Sequence, residues 1–212
     1  MNPAENVEAV ILSGGYSTRM SSHKAFLPVI NGMSAIEYLV HTYLDAKVSS
    51  VVVVVNSDIK LESEKVLERI QDRGKVSIHV NPHSELGRFS SIRFGLATTS
   101  SGKCFLQNID NLFISTRLLD ALKQAISNGD YSVPVFKGRH GHPILLSRTV
   151  VDHLLTIDAA SGNLRDELRQ FEERCIEWNE PGILANINSD EDYKQFSKEL
   201  LSDDISEVEA AG

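Results

Sequence analysis

Val7-Glu-Ala-Val-Ile-Leu-Ser-Gly-Gly-Tyr-Ser-Thr-Arg-Met-Ser-Ser-His-Lys24 decides how the chain is to be read. Its first part, Val7–Leu12, is a short apolar run of strand character, and a glycine-rich loop, Ser13–Lys24, follows it directly. Gly14 and Gly15 permit positive φ and let backbone N–H groups close on an anion. Ser17 and Thr18 add hydroxyl donors, Arg19 a two-pronged guanidinium, and Lys24 a mobile point charge. The loop lacks Gly-Lys-Ser/Thr, so it is not a Walker loop, and it lacks Gly-x-Gly-x-x-Gly, so a dinucleotide site is not expected. By composition alone, an ordinary glycine turn carrying two exposed cations fits the same residues equally well.

Outward from this loop the chain alternates strand and helix signals. Ala35–Ala46 has helical spacing, with Ile36, Leu39, Val40 and Tyr43 on one face and Ser34 as cap. Ser50–Asn56 contains five consecutive valines, which fits a strand buried on both faces of a parallel sheet. Leu61–Asp72 reads as a charged amphipathic helix, Val76–Val80 as a strand, Ser90–Ala97 as a helix and Lys103–Asp110 as a strand. Ser115–Ser127 is an expected helix and Tyr131–Lys137 an expected strand. Beyond Gly138 the expected elements are an extended His142–Leu146, helices at Thr149–Thr156 and Asn163–Phe171, a strand at Cys175–Trp178 and a helix from Ser189. The alternation implies right-handed βαβ units and an α/β, Rossmann-like fold: three layers, a mostly parallel sheet, helices on both faces. Ligands of such sheets bind outside the carboxyl ends of the strands, which puts Ser13–Lys24, Asn81–Arg93 and Asp110 along one rim.

The 212 residues suit one domain, taken as 1–201, with Ser202–Gly212 an acidic tail expected to be disordered. A hydrophobic share of 42% is enough for a core that needs no staples. Cys104 and Cys175, far apart in apolar settings, are expected as buried thiols rather than a disulfide or metal cluster. A reduced, cytoplasmic setting is the expectation. The net charge of −8 argues against a nucleic-acid partner, which calls for a basic face, yet leaves small phosphates open. No apolar run reaches the roughly 18 residues that span a bilayer, and Met1–Val7 has no basic segment of a signal peptide, so no membrane partner is expected.

Leu12–Pro28 resembles Leu-Ala-(Ala/Gly)-Gly-x-Ser-x-Arg-Met-Gly-x-x-Lys-x-Leu-Leu-Pro, the signature of the MobA-like NTP transferases, which include the molybdenum cofactor cytidylyl- and guanylyltransferases. Gly87-Arg-Phe-Ser-Ser-Ile-Arg-Phe-Gly-Leu96 is similar to the cytidylyl branch's Gly-Met-Ser-x-Ser-Leu-Arg-x-Gly-Leu. Gly138-Arg-His-Gly-His-Pro143 resembles Gly-x-x-Gly-His-Pro, and Asn186-Ile-Asn-Ser-Asp-Glu-Asp-Tyr193 resembles the closing Asp/Asn-x-Asp/Asn-Thr-Pro-Glu-Asp-Leu/Tyr. The resemblance spans about residues 7 to 196 and implies the fold of the nucleotide-diphospho-sugar transferases.

It also implies a reaction: an acceptor phosphate attacks the α-phosphorus of an NTP and pyrophosphate leaves. Catalysis of that kind is mostly positioning plus cation clamps, with Mg²⁺ the natural ion. Arg19, Lys24 and Asp110 are the implied catalytic residues, with Asp110 and Asn188 on the metal. Leu12, Ser13, Gly14, Gly15, Ser17, Thr18, Arg19, Lys24, Asn81, Ser90, Ser91 and Arg93 would bind the nucleotide. Without the family, Asp110 reads as a turn residue or helix cap and Ser90 as an N-cap. Two departures bear on the metal. The family's Gly-Asp-Met/Gln-Pro is Ile109-Asp110-Asn111-Leu112 here, and Asn186 and Asn188 stand where cytidylyltransferases carry Asp and guanylyltransferases Asn.

His140 and His142 sit on a loop expected to bring polar groups to the acceptor; a structural turn with satisfied histidines is the alternative. Leu164–Phe171 resembles the family's Gly-Ala-Arg-x-Leu-Leu, which makes Arg165 an acceptor contact, against the alternative of a solvated helix face. The expected partners are an NTP, CTP before GTP, and a small phosphorylated acceptor of molybdopterin type, with a further protein that takes over the product. A sugar- or polyol-phosphate nucleotidylyltransferase and a non-catalytic nucleotide-binding module are the other readings.

Overall fold

The computed structural model describes residues 6–15, 23–30, 32–59, 66 and 74–196. Ser17, Thr18 and Arg19, the helix expected at Leu61–Asp72 apart from Val66, and the tail Ser202–Gly212 lie outside the described residues.

The strands are β1 (Val7–Ser13), β2 (Ser50–Val55), β3 (Val76–Val80), β4 (Lys103–Asn108), β5 (Tyr131–Phe136), β6 (Arg139–His140), β7 (Ile144–Ser147) and β8 (Glu173–Glu177). The helices are α1 (Ala35–Asp45), α2 (Arg88–Leu96), α3 (Thr116–Ala125), α4 (Arg148–Thr156), α5 (Leu164–Leu168) and α6, residues 190–196. One sheet runs β3-β2-β1-β4-β7-β5-β6, with β8 also paired to β5. β1 is parallel to β2 and β4, β2 to β3 and β5 to β8, whereas β7 runs antiparallel between β4 and β5. The sheet is thus mostly parallel with a reversed strand inserted, as the α/β reading expects. Among the described residues no helix is long and apolar enough to cross a membrane.

The valine run of β2 shows why the fold has three layers. Val51, Val53 and Val55 face one core with α1 and α3, and Val52 and Val54 face a second core with α2 and α4. α1 is held at its start by a capping box between Ser34 and Glu37, and α3 by the Ser115 hydroxyl, which accepts from the Leu118 N–H at 3.2 Å. α2 lies so close on the sheet that a Cβ on Gly95 would stand 2.5 Å from Val10 Cγ1 and 2.8 Å from Val54 Cγ2.

Three expectations shift. α2 begins at Arg88, two residues before the expected Ser90, because Gly87, at φ +96°, closes the preceding turn in a conformation that favours glycine and releases the chain into the helix. β4 ends at Asn108, so Asp110 lies in the turn after the strand. Cys104 is buried, but Cys175 is exposed, because β8 has β5 as its paired neighbour and lies at the margin of the sheet. Both cysteines are free thiols.

Candidate functional site

From β1 the chain steps outward to β2 and β3, then returns to place β4 on the other side of β1. The loops leaving the carboxyl ends of β1 and β4 diverge there, which is where such sheets open a ligand crevice. A cleft of about 480 Å³ occupies it, lined by Leu12, Gly14, Gly15 and Lys24 from the first loop, Asn108 and Asp110 from the second, and Asn186 and Asn188 from the chain's last described loop.

Each wall is fixed by hydrogen bonds that the sequence hides. On the first loop, Asn56 Nδ2 donates to Gly14 O at 3.1 Å, and His23 Nε2 pairs with Gly15 O at 3.2 Å. A side chain at residue 14 would begin 3.3 Å from Ser91 Oγ, so glycine lets this loop close on α2. On the second, the buried Gln107 donates through Nε2 to Asn108 O (2.8 Å) and Asn111 O (2.7 Å), and accepts from Tyr43 Oη (2.9 Å). Asn111 Nδ2 donates to Ala185 O at 2.9 Å and to Asn186 Oδ1, and the Ile187 N–H donates to Asp110 O at 2.8 Å. Asn111, where the family carries Met or Gln, is therefore the side chain that ties the Asp110 turn to the segment carrying Asn188. Asp192 completes the arrangement by accepting from the N–H groups of Asn188 and Ser189 at 2.9 Å each. Those two bonds are among the causes that hold its carboxyl below the usual range.

The result is a compact polar centre. Lys24 Nζ donates to Asn188 Oδ1 at 2.6 Å and lies 4.0 Å from Asp110 Oδ2. Asp110 Oδ1 is buried and has no hydrogen-bond partner among the described residues. An anionic oxygen left so is costly unless a donor or cation completes it. A carboxylate and an amide oxygen, with phosphate oxygens beside them, form the all-oxygen set that hard divalent cations take. The residues present therefore fit a divalent metal.

Arg88 and His142 line this cleft and a second, larger one of about 970 Å³ that adjoins it. Arg88 Nη2 donates to Asn108 Oδ1 at 3.0 Å. Burial lowers its proton affinity, while the nearby Asp110 acts in the opposite sense. Burial, and then the charge of Arg88, push the His142 imidazole down to about 4, so it is neutral at pH 7. The larger cleft adds Arg139, Arg165, Arg169 and His140, with Glu173 as its acid and Phe89, Tyr131 and Phe171 as its aromatic wall. In a chain of net charge −8 this is a concentrated positive patch suited to an anionic ligand.

Of the residues singled out in the sequence, Leu12, Gly14, Gly15, Lys24, Ser91, Asp110, His142 and Asn188 line the smaller cleft, and His140, His142 and Arg165 line the larger. Ser17, Thr18 and Arg19 lie outside the described residues. Ser13, Asn81 and Ser90 are buried and do not line either cleft. Asn81 works one layer behind, donating to Ser90 Oγ at 3.2 Å and Ser91 Oγ at 3.1 Å; Ser90 in turn donates to His83 O. Arg93 points away, its Nη2 donating to Leu155 O at 2.7 Å, and so joins α2 to α4 instead of meeting a ligand. Arg88 and Asn111 are not among the residues that the sequence marks. The family motif has Met at the first, and the second is legible only through its partners on the far side of the cleft.

Residues 9–175 match the family described as the MobA-like NTP transferase domain. A curated relative, a probable molybdenum cofactor guanylyltransferase of Natranaerobius thermophilus, is 26% identical over 92% of this chain and 97% of its own. Among solved structures, a nucleotidyl transferase from Methanothermobacter thermautotroptrophicus superposes with a TM-score of 0.76 at 20% identity, covering 93% of this chain and 98% of that one. Molybdopterin-guanine dinucleotide biosynthesis protein A from Archaeoglobus fulgidus does so with a TM-score of 0.65 at 18% identity, covering 92% and 99%.

Proposed function

The chain belongs to the MobA-like NTP transferase family, and from that premise we propose that it moves a nucleotidyl group from CTP, in preference to GTP, to a phosphorylated acceptor of molybdopterin type. The triphosphate occupies the smaller cleft and the acceptor the larger. An acceptor phosphate oxygen attacks the α-phosphorus; a new P–O bond forms as the bond to the bridging oxygen breaks, and pyrophosphate leaves with that electron pair.

One observation carries this reading: Asn188 Oδ1 and Asp110 Oδ2 both lie within 4.0 Å of Lys24 Nζ, beside a buried carboxylate oxygen that has no donor among the described residues. Backbone N–H groups of the Gly14–Gly15 loop and the Lys24 ammonium hold the phosphates. A Mg²⁺ ion held by Asp110 and Asn188 would supply a Lewis acid for the charge that builds on phosphate oxygens. Arg88, at the junction of the two clefts, neutralises both anions as they approach and keeps their reacting groups in register. His142, held neutral, offers a hydrogen bond there without adding charge. The arginines of the larger cleft support an anionic acceptor, and its aromatic wall supports a planar one. The guanylyltransferase relative, together with Asn186 and Asn188, makes GTP the competing donor.

Pyrophosphate release, followed over the four NTPs with molybdopterin, sugar-phosphate and polyol-phosphate acceptors, tests the proposal. Turnover with CTP and molybdopterin supports it. Turnover only with a sugar or polyol phosphate reassigns the acceptor, and NTP binding without turnover on any acceptor makes the chain a nucleotide-binding module.

A further inference from the structure

Tyr131, Val133 and Val135 alternate along β5, and their neighbours alternate in step. Glu173, Cys175 and Glu177 on β8 face them in register, and His140 on β6 faces Val135. Paired residues share a face of the sheet, so this margin gathers an imidazole, a carboxylate and a thiol on one side. The ligand atoms of His140, Glu173 and Cys175 all lie within 4.8 Å of one another, with no contribution from the Lys24–Asp110 centre.

The His140–Glu173 spacing is that of two ligands around one ion. Bonds of about 2.0–2.1 Å to imidazole nitrogen or carboxylate oxygen and about 2.3 Å to sulfur put neighbouring ligands of a tetrahedral cation about 3.3–3.6 Å apart. His140 Nδ1 lies 3.5 Å from Glu173 Oε1, too long for a good hydrogen bond and right for two ligands of one ion. Tyr131 Oη donates to the same Glu173 Oε1 at 3.0 Å, the kind of outer contact that orients a ligating carboxylate. The mixed nitrogen, oxygen and sulfur set differs in kind from the oxygen set at Asp110. It selects a borderline-soft cation and disfavours Mg²⁺.

We propose that His140, Glu173 and Cys175 form a binding site for a divalent transition-metal ion of the Zn²⁺ class at the edge of the larger cleft, which His140 and Glu173 line. The Cys175 thiol gives up its proton to solvent as the metal–sulfur bond forms. Three protein ligands leave a fourth position for water or for an oxygen of whatever the cleft holds.

The test titrates the full chain with Co²⁺ under reducing conditions and follows the near-ultraviolet sulfur-to-cobalt charge-transfer band. Cys104 is fully buried, so such a band reports Cys175. The expected result is a band that saturates at one Co²⁺ per chain and that Zn²⁺ abolishes. Cys175→Ser, at an exposed position, should lose it while melting like the wild type, and His140→Ala should weaken Co²⁺ binding at least about tenfold. Asp110→Asn should leave the band intact, since that carboxylate is not a ligand. No band with excess Co²⁺, a band that survives in Cys175→Ser, or undiminished affinity in His140→Ala would overturn the proposal.

Discussion

Lys24 and Asp110 stand in two different loops, after β1 and after β4, yet the Lys24 ammonium comes to 4.0 Å from the Asp110 carboxylate. Two side chains of opposite charge face each other across the point where the strand order of the sheet reverses. The lysine also reaches Asn188, so three of the loops that line the smaller cleft meet at one atom, Lys24 Nζ.

Removing that atom should separate binding from folding. Lys24→Ala is expected to weaken NTP binding by about 10–100-fold, the scale of losing a charge-assisted contact of about 1.5–3 kcal/mol. Arg19→Ala should act in the same direction. A thermal-shift titration with CTP measures this, and unchanged nucleotide-dependent stabilisation in both variants would refute the assigned roles.

Asp110→Asn keeps the shape of the side chain and removes its charge. Turnover is expected to fall by at least about 100-fold and to lose its dependence on added Mg²⁺. Without metal the variant should melt no lower than the wild type, because the carboxylate oxygen it replaces is buried with no donor among the described residues. Steady-state rates over a Mg²⁺ series and calorimetric melting report the two effects. A metal dependence identical to wild type would remove Asp110 from the ligand set.

Arg88→Met restores the residue that the cytidylyl motif carries. With the guanidinium gone from the junction of the clefts, kcat/KM for the acceptor is expected to drop by about 10–100-fold while the far-ultraviolet circular dichroism stays constant. An unchanged kcat/KM would show that Arg88 serves only its hydrogen bond to Asn108.

His142 makes a pH prediction with a definite sign. The unfolded chain takes up the imidazole proton near 6.5 and the folded chain only near 4. The unfolded state therefore binds more protons between these values, and stability falls as pH drops from 6.5 to 4. Histidine NMR titration should find a resonance with a midpoint near 4 that His142→Gln removes. A midpoint near 6.5 for His142 would contradict its burial beside Arg88.

Gly95→Ala tests the packing that sets the cleft's floor. The added methyl would meet Val10 and Val54 at 2.5 and 2.8 Å, so destabilisation of about 1–3 kcal/mol is expected. Denaturant unfolding with an unchanged slope would register it, and a variant as stable as wild type would show that α2 stands further from the sheet.

Much of this architecture is legible in the chain. The five valines of β2 announce burial on both faces, and Ser34 and Ser115 mark helix starts by a local mechanism. Lys24 and Asp110 could be placed on one rim because parallel α/β sheets gather their carboxyl ends there. What escaped are relations made by distant partners. Arg93 looks like a ligand contact in a motif, but the C-terminal end of α4 offers it a carbonyl. Asn81 looks like a rim residue but is buried behind Ser90 and Ser91. Arg88 and Asn111 carry no local signal, since their roles exist only once β4, α2 and the Ala185–Asn188 segment have come together. Cys175 sits in an apolar stretch, yet its strand lies at the sheet margin, and only the topology reveals that.

The most direct measurement is a crystal structure of the full chain grown with CTP and Mn²⁺, read through the manganese anomalous signal. The expected result is a peak bonded to the Asp110 carboxylate, with the triphosphate beside it against Lys24 and the Gly14–Gly15 loop. A triphosphate bound outside this cleft, or manganese with no bond to Asp110, would contradict it.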